Sequence, residues 1–256
     1  MKLNFRVSGE GPPLVILHGL LGSLDNWVPH AQLLSARFQV FLIDLRNHGR
    51  SPHADEFNYD VMAADLAEFI ADQNLGPVNL LGHSMGGKAA MRYAQLHPDS
   101  VPKLIVVDIS PREYAPRYAN ILDTMHALDL SHFQQRAAVD AALAIAAPDK
   151  NIRQFLLKNI GRDDRGSMHW KPNVPAIRAN YHEVRRALPT APSFVGPTLF
   201  VRGGKSDYLP DEDVPLIRQT FPAAQVETIA NAGHWVHAEA PEQFIQIITG
   251  FLLAEK

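Results

Sequence analysis

The segment Gly82-His83-Ser84-Met85-Gly86 places a serine between two glycines, and a third glycine, Gly87, follows. It comes after a short apolar run at 78–81, typical of a buried strand, and before a helical pattern that starts at Met85. A serine on such a tight strand-to-helix turn exposes its hydroxyl, and the glycines remove Cβ atoms that would collide with the neighbouring strand and helix. The helix N-terminus adds positive partial charge beside it. The pattern predicts that Ser84 is a nucleophile that attacks an acyl carbon.

Four segments of the chain resemble those of one enzyme family. They are GHSMGGK (82–88), DLRNHGRS (44–51), VDISP (107–111) and GHWVHAE (233–239). Together they resemble α/β-hydrolase-fold enzymes over essentially the whole chain and, more narrowly, YbfF-type bacterial esterases. The resemblance implies an α/β-hydrolase fold and serine-dependent hydrolysis of carboxylic esters, with no cofactor and no metal. It does not specify a substrate.

A serine nucleophile needs a general base, and histidine is the usual choice. Among twelve histidines, His234 follows the last predicted strand and a tight turn, Asn231-Ala232-Gly233, and it precedes the final helix. The chain order serine, aspartate, histidine then matches that of α/β hydrolases. His237 is interpreted as structural, because the H-x-x-H that it forms with His234 has no evident third ligand for a metal.

Two aspartates compete for the acid that would accept a hydrogen bond from His234. Asp207 follows the fifth strand of the predicted sheet, the usual place for the acid in this fold. Asp108 ends the fourth strand, and the resemblance to YbfF-type esterases gives it weight, since that subgroup need not keep an aspartate at position 207. On general fold grounds Asp207 is taken as the acid and Asp108 as the alternative. The acid would hold the imidazole and stabilise the imidazolium.

The resemblance also implies an oxyanion hole formed by two backbone N–H groups. One belongs to Met85, the residue after the nucleophile, and the other to Leu20, which follows His18-Gly19 after the first buried strand. One such donor typically contributes about 3–4 kcal/mol of transition-state stabilisation. The segment 46–51 is expected to be structural, with hydrogen bonds that shape the loop beside the serine.

Short apolar runs alternate with longer helical patterns, which predicts a doubly wound, mostly parallel α/β sheet. The predicted strands are 14–17, 38–45, 78–81, 103–109, 198–202 and 225–230, with an additional antiparallel strand at 4–7. The predicted helices of this core are 60–73, 85–97 and 241–253.

The stretch 111–196 interrupts the alternation and shows no strand signals. Its Ala- and Leu-rich helical segments are 118–128, 133–147, 151–160 and 174–188. Because a structureless loop of this length is implausible in a compact domain, we predict a helical cap at 111–196, inserted between late strands of a hydrolase core formed by 1–110 and 197–256. Five side chains are candidates for the pocket wall: Trp27, Tyr114, Met125, Trp170 and Trp235.

Composition excludes several function classes. The 256 residues predict one large domain or one domain with an insertion, and no cysteine is present for a disulfide, a Cys metal site or a thiol nucleophile. A formal charge of −3 gives no basic footprint for nucleic acid or membrane. The N-terminal MKLNFRVSGEG has no apolar segment of a signal peptide, so we expect a cytoplasmic protein, monomeric or homodimeric.

These observations predict a carboxylic-ester hydrolase that acts on short to medium acyl esters through an acyl-serine intermediate. Three alternatives remain open. The same residues could serve thioester or carbon–carbon bond hydrolysis, or a lyase or perhydrolase reaction. The scaffold could instead bind a ligand without turnover, or the helical insertion could dock a partner protein.

Overall fold

The computed structural model describes residues 1–254, in which strands and helices alternate along most of the chain. The strands are β1 (Phe5–Ser8), β2 (Pro13–Leu17), β3 (Gln39–Ile43), β4 (Asn79–His83), β5 (Leu104–Val107), β6 (Ile160–Arg162), β7 (Met168–Trp170), β8 (Thr198–Gly203) and β9 (Ala224–Ile229). All except β6 and β7 form one sheet in the order β1-β3-β2-β4-β5-β8-β9. β1 is antiparallel to β3, and the other neighbouring strands are parallel. The mostly parallel sheet and its antiparallel first strand are confirmed.

Helices cover both faces of this sheet. The α-helices of the described residues are α1 (Val28–Leu34), α2 (Tyr59–Asp72), α3 (Met85–Leu96), α4 (Ala119–Ala127), α5 (Arg136–Leu143), α6 (Lys150–Leu157), α7 (Val174–Ala179), α8 (Tyr181–Arg185), α9 (Val214–Thr220), α10 (Val236–Glu239) and α11 (Pro241–Leu253). Of these, α4 to α8 lie in the predicted cap region, 111–196. α2 and α3 pack on one face, and α1 and α11 pack on the other. The central strands β4 and β5 are therefore buried along their whole length, which explains the entirely apolar sequence of β5. Among the described residues, no helix is both long and apolar enough to span a membrane.

The sequence did not predict α1, α9 or α10. α1 and α9 have seven residues each and α10 has four, so none presents two full turns of apolar periodicity. α1 and α9 also carry a proline in their first turn, which starts a helix but adds nothing to the periodic pattern.

The predicted cap region contains α4 to α8 and, in addition, an antiparallel hairpin of β6 and β7. The expectation that 111–196 lacks strands is therefore wrong, because three-residue strands around the polar segment 163–167 are too short to leave an alternating pattern. The single helix predicted at 174–188 is two helices, α7 and α8, divided at Asn180. The boundaries of the cap at 111 and 196 stay a prediction.

Two passages of the chain, around 111–114 and 185–188, connect the cap region to the sheet and together form a neck. The chain leaves after β5 and returns before β8, and the two passages are joined by hydrogen bonds from Tyr114 N to Arg185 O (2.9 Å) and from Leu188 N to Pro111 O (2.8 Å). Lys88 of α3 donates from Nζ to carbonyl oxygens of both passages, at 2.7 and 2.6 Å. Burial lowers the pKa of this lysine to about 7. The neck therefore fixes the cap region above the helix that follows Ser84.

Candidate active site

Ser84 lies on the sharp turn between β4 and α3, with a positive φ of 52° that is rare for a serine. A Cβ atom at Gly82 would lie 2.2 Å from Gly86 O, and one at Gly86 would lie 2.4 Å from His18 O. Both distances are far below van der Waals contact, so the turn can close against α3 and β2 only with glycine at these positions. The predicted steric role of the two glycines is confirmed.

Ser84, His234 and Asp108 form a continuous chain of hydrogen bonds. His234 Nε2 lies 3.1 Å from Ser84 Oγ, and His234 Nδ1 lies 2.7 Å from Asp108 Oδ2. The three residues follow β4, β9 and β5, whose carboxyl ends meet at one edge of the sheet. Asp108 accepts a hydrogen bond from Nδ1–H, so Nε2 is left as the acceptor for the serine hydroxyl. This arrangement can remove the proton from Ser84 as the serine attacks.

The prediction that Asp207 holds His234 is wrong. Its carboxylate instead pairs with both terminal nitrogens of Arg117, at 2.5 and 2.7 Å. The side chain is 73% exposed, whereas that of Asp108 is fully buried. The Arg117 guanidinium lowers the pKa of Asp207. The loop after β8 thus carries Asp207 outward to the cap region, while a positive φ of 50° at Asp108 turns the chain sharply after β5.

The Asp108 carboxylate is satisfied on all sides. Besides the bond from His234, Oδ1 accepts from Gly203 N at 2.9 Å, and Oδ2 accepts from the hydroxyl of Ser206. Three donors compensate the loss of water around a buried negative charge. Ser206 was not singled out from the sequence. It directly precedes Asp207, and nothing in the local sequence marks its hydroxyl as a partner of Asp108.

The loop that carries His234 is fixed from several directions. The ring of Tyr208 stacks on the imidazole, with centroids 3.7 Å apart, and His83 Nε2 donates to His234 O at 2.9 Å. The Glu239 carboxylate accepts from the N–H groups on either side, those of Gly233 (2.7 Å) and Trp235 (3.2 Å). Burial keeps the pKa of His83 well below its ordinary value, so this ring is a neutral donor to the loop.

The loop after β2 approaches Ser84 closely. A Cβ atom on Gly19 would lie 3.3 Å from Ser84 Cβ, and Leu20 and Met85 line the same cavity as the serine. Within residues 1–254, neither the N–H of Leu20 nor that of Met85 donates to another residue. Both are available to bind an oxyanion, and their role in the oxyanion hole stays a prediction.

A cavity of about 740 Å³ extends from Ser84 to the cap region. Trp27, Tyr114 and Trp235 line it as predicted, whereas Met125 and Trp170 do not, because Trp170 Nε1 donates to Met125 O inside the cap region. The wall also contains tyrosines that the sequence did not single out, namely Tyr59, Tyr118, Tyr181 and Tyr208. Burial raises the pKa of Tyr114 and of Tyr208 to about 12, so both present neutral hydroxyls.

Residues 12–241 match the family model described as alpha/beta hydrolase fold. The chain belongs to this family. It is 34% identical to esterase YbfF from Escherichia coli strain K12, over 98% of this chain and 99% of that protein. It is 37% identical to the sn-1-specific diacylglycerol lipase ABHD11 from Mus musculus, over 94% of this chain and 81% of that protein.

The solved structure of a marine microorganism esterase superposes on this α/β hydrolase with a TM-score of 0.95. The two sequences are 46% identical, and the match covers 98% of this chain and 99% of that one. The resemblance to α/β hydrolases and to YbfF-type esterases that the four sequence segments indicated is therefore confirmed.

In this α/β hydrolase the segment 46–51 and the preceding Asp44 shape the loops beside Ser84. Asp44 accepts from Leu24 N (2.8 Å) and Arg50 N (2.9 Å), and the Ser51 hydroxyl donates to Asp44 O at 2.5 Å. The predicted structural role of this segment is confirmed.

Across the described chain, no group of three or more His, Cys, Asp or Glu side chains is placed to hold a metal ion. His237 is buried and stacks on Trp27, 4.2 Å between centroids.

Proposed function

We propose that this protein is a carboxylic-ester hydrolase that acts through Ser84, His234 and Asp108. The observation that carries the proposal is the chain of hydrogen bonds from Ser84 Oγ through the imidazole to a fully buried carboxylate, beside a ligand-sized cavity. The similarity to proteins named esterase and diacylglycerol lipase supports an ester as the substrate.

In the first half of the reaction, His234 Nε2 takes the hydroxyl proton while Ser84 Oγ attacks the acyl carbon. The N–H groups of Leu20 and Met85 donate to the oxyanion of the tetrahedral intermediate. Asp108 accepts from Nδ1–H and so stabilises the imidazolium. His234 then gives its proton to the departing alcohol, and an acyl-Ser84 ester remains.

In the second half, water takes the place of the alcohol. His234 Nε2 removes a proton from this water as its oxygen attacks the acyl-Ser84 carbonyl. The same two N–H groups stabilise the second oxyanion. When this intermediate collapses, the bond from Ser84 Oγ to the acyl carbon breaks, His234 returns its proton to Oγ, and the carboxylic acid is released. His234 thus acts alternately as base and acid in each half.

The cavity supports a substrate of moderate size. A volume of about 740 Å³ lies within the range of roughly 300–1,000 Å³ found for small-molecule sites, and aromatic side chains with neutral hydroxyls form much of its wall. Short to medium acyl chains are therefore the proposed substrates. A cytoplasmic location and a monomeric or homodimeric state are further proposals.

The test is hydrolysis of a p-nitrophenyl ester series, from acetate to dodecanoate, by the wild type and by Ser84→Ala. We expect kcat to fall by roughly 10⁴-fold or more in the variant, because it lacks the nucleophile. Ser35→Ala is the matched control, since its hydroxyl donates to Gln32 O on α1, outside the cavity. Full activity of Ser84→Ala would refute the proposal.

A further inference from the structure

Leu21 has an unusual backbone conformation beside the candidate oxyanion hole. It directly follows Leu20 and has a φ of 57°, which lies in the left-handed region that residues other than glycine rarely adopt. It is the third residue of a four-residue turn closed by the bond from Gly22 N to Gly19 O (2.9 Å), a position where positive φ usually calls for glycine. The surrounding structure must therefore hold Leu21 in place.

Two side chains bind both polar backbone groups of Leu21. Its N–H donates to His48 Nε2 at 3.0 Å, and its carbonyl oxygen accepts from Asn159 Nδ2 at 2.7 Å. His48 Nδ1 lies 2.9 Å from Arg46 O, so the ring proton is on Nδ1 and Nε2 is the acceptor. Burial lowers the pKa of His48 to about 3, which keeps the ring neutral and able to accept.

Asn159 reaches this loop from the cap region. It lies between α6 and β6, is 4% exposed, and its own carbonyl oxygen accepts from Lys171 N at 2.8 Å. The Asn159 side chain therefore connects the cap region to Leu21, which lies 138 positions earlier in the sequence. Phe155 of α6 and Lys158, just before Asn159, line the substrate cavity. The same part of the cap region that lines the cavity therefore also binds the loop that carries Leu20.

We propose that Asn159 and His48 are positioning residues that hold Leu21 so that the N–H of Leu20 is aimed at the oxyanion. The inference rests on the proposed function. If either bond to Leu21 is removed, the turn can relax toward negative φ, and the peptide between Leu20 and Leu21 loses its fixed orientation. The cap region then does more than cover the substrate, because it completes the geometry of the oxyanion hole.

The test compares Asn159→Leu and Asn159→Asp with the wild type. Leucine removes the side-chain amide. Aspartate keeps the shape of asparagine, but its ionised carboxylate cannot donate a hydrogen bond to Leu21 O. Since loss of a whole oxyanion donor costs roughly 10²–10³-fold in kcat, we expect a loss of about 10- to 100-fold in kcat with little change in KM. Affinity for a boronic acid, which forms a tetrahedral adduct with the serine, should weaken by a similar factor.

Asn180→Leu is the matched control. Asn180 Nδ2 donates from the cap region to Asp55 O at 2.8 Å, a bond of the same kind away from the oxyanion loop. We expect this variant to keep kcat and boronic acid affinity. Thermal unfolding of every variant establishes which are folded at the assay temperature. If neither Asn159 variant folds, His48→Phe removes the acceptor of the Leu21 N–H and should produce the same loss.

Two results would overturn the inference. Folded Asn159 variants that keep wild-type kcat and boronic acid affinity would show that Asn159 has a structural role only. An equal loss in Asn180→Leu would show a general effect of loosening the cap region. Failure of the proposed function is separate, because it would appear as activity that survives in Ser84→Ala.

Discussion

The Asp108 carboxylate connects the nucleophile to three strands of the sheet. It lies after β5, binds His234 after β9, and accepts hydrogen bonds from Gly203 and Ser206 at the end of β8. These donors replace the water that a completely buried carboxylate loses, and they hold it against the imidazole that it has to stabilise. The hydroxyl of Ser206 is therefore part of what makes His234 an effective base.

Ser206→Ala tests this hydroxyl. Hydrogen bonds to charged groups contribute about 1.5–3 kcal/mol, so we expect kcat to fall roughly tenfold to a hundredfold while KM changes little. Steady-state kinetics with p-nitrophenyl butyrate provides the measurement. Ser131→Ala is the matched control, since its hydroxyl also donates to an aspartate, Asp129 (2.7 Å), but at an exposed site. An unchanged kcat in Ser206→Ala would mean that Gly203 and His234 suffice for Asp108.

At the scale of elements, close packing between β2, β4 and α3 fixes the position of Ser84. The strands were predicted from their apolar runs. The turn was predicted because the serine lies between a strand and a helix, where the flanking glycines remove Cβ atoms that would collide with neighbouring backbone. The acid could not be decided in the same way. Which of Asp108 and Asp207 turns inward depends on the path of the loops after β5 and β8, and the bond from Arg117 to Asp207 joins residues 90 positions apart. Such tertiary pairings leave no local pattern.

Gly86→Ala tests the packing of the turn. The new Cβ would lie 2.4 Å from His18 O, which is backbone and cannot rotate away, so we expect a loss of at least about 1–3 kcal/mol in the free energy of unfolding. Because the clash also separates Ser84 from the oxyanion loop, ester hydrolysis should fall steeply. Gly250→Ala in α11 is the control: nothing lies within 4 Å of its Cβ, and we expect a gain of about 0.5–1 kcal/mol. Equal effects of the two substitutions would contradict this account.

Across the whole molecule, five of the twelve histidines are buried. The pKa is lowered, mainly by burial, in His18, His30, His48, His83 and His237. Several of these rings hold loops at the carboxyl edge of the sheet: His18 Nε2 accepts from Leu45 N at 3.0 Å, and His30 Nε2 donates to His237 O at 2.8 Å. The site is thus embedded in a network that requires neutral imidazoles.

This network predicts a loss of stability in mild acid. Below the ordinary histidine pKa of about 6.5, the unfolded chain binds protons that the folded chain does not, so the free energy of unfolding falls as the pH drops. Each such histidine contributes up to about 1.4 kcal/mol per pH unit until its folded pKa is reached. Urea unfolding should therefore show a loss of at least about 3 kcal/mol between pH 7 and pH 5. Equal stability at the two pH values would contradict the burial of neutral histidines.

The most direct test of the account as a whole is the kcat for ester hydrolysis of Asp108→Asn and Asp207→Asn, measured side by side. Removing the carboxylate that orients the base costs roughly 10⁴-fold in a serine protease, and we expect a loss of that order in Asp108→Asn. Asp207→Asn loses only an exposed ion pair with Arg117 and should stay within about tenfold of the wild type. The reverse order, or full activity in Asp108→Asn, would contradict the Ser84–His234–Asp108 assignment.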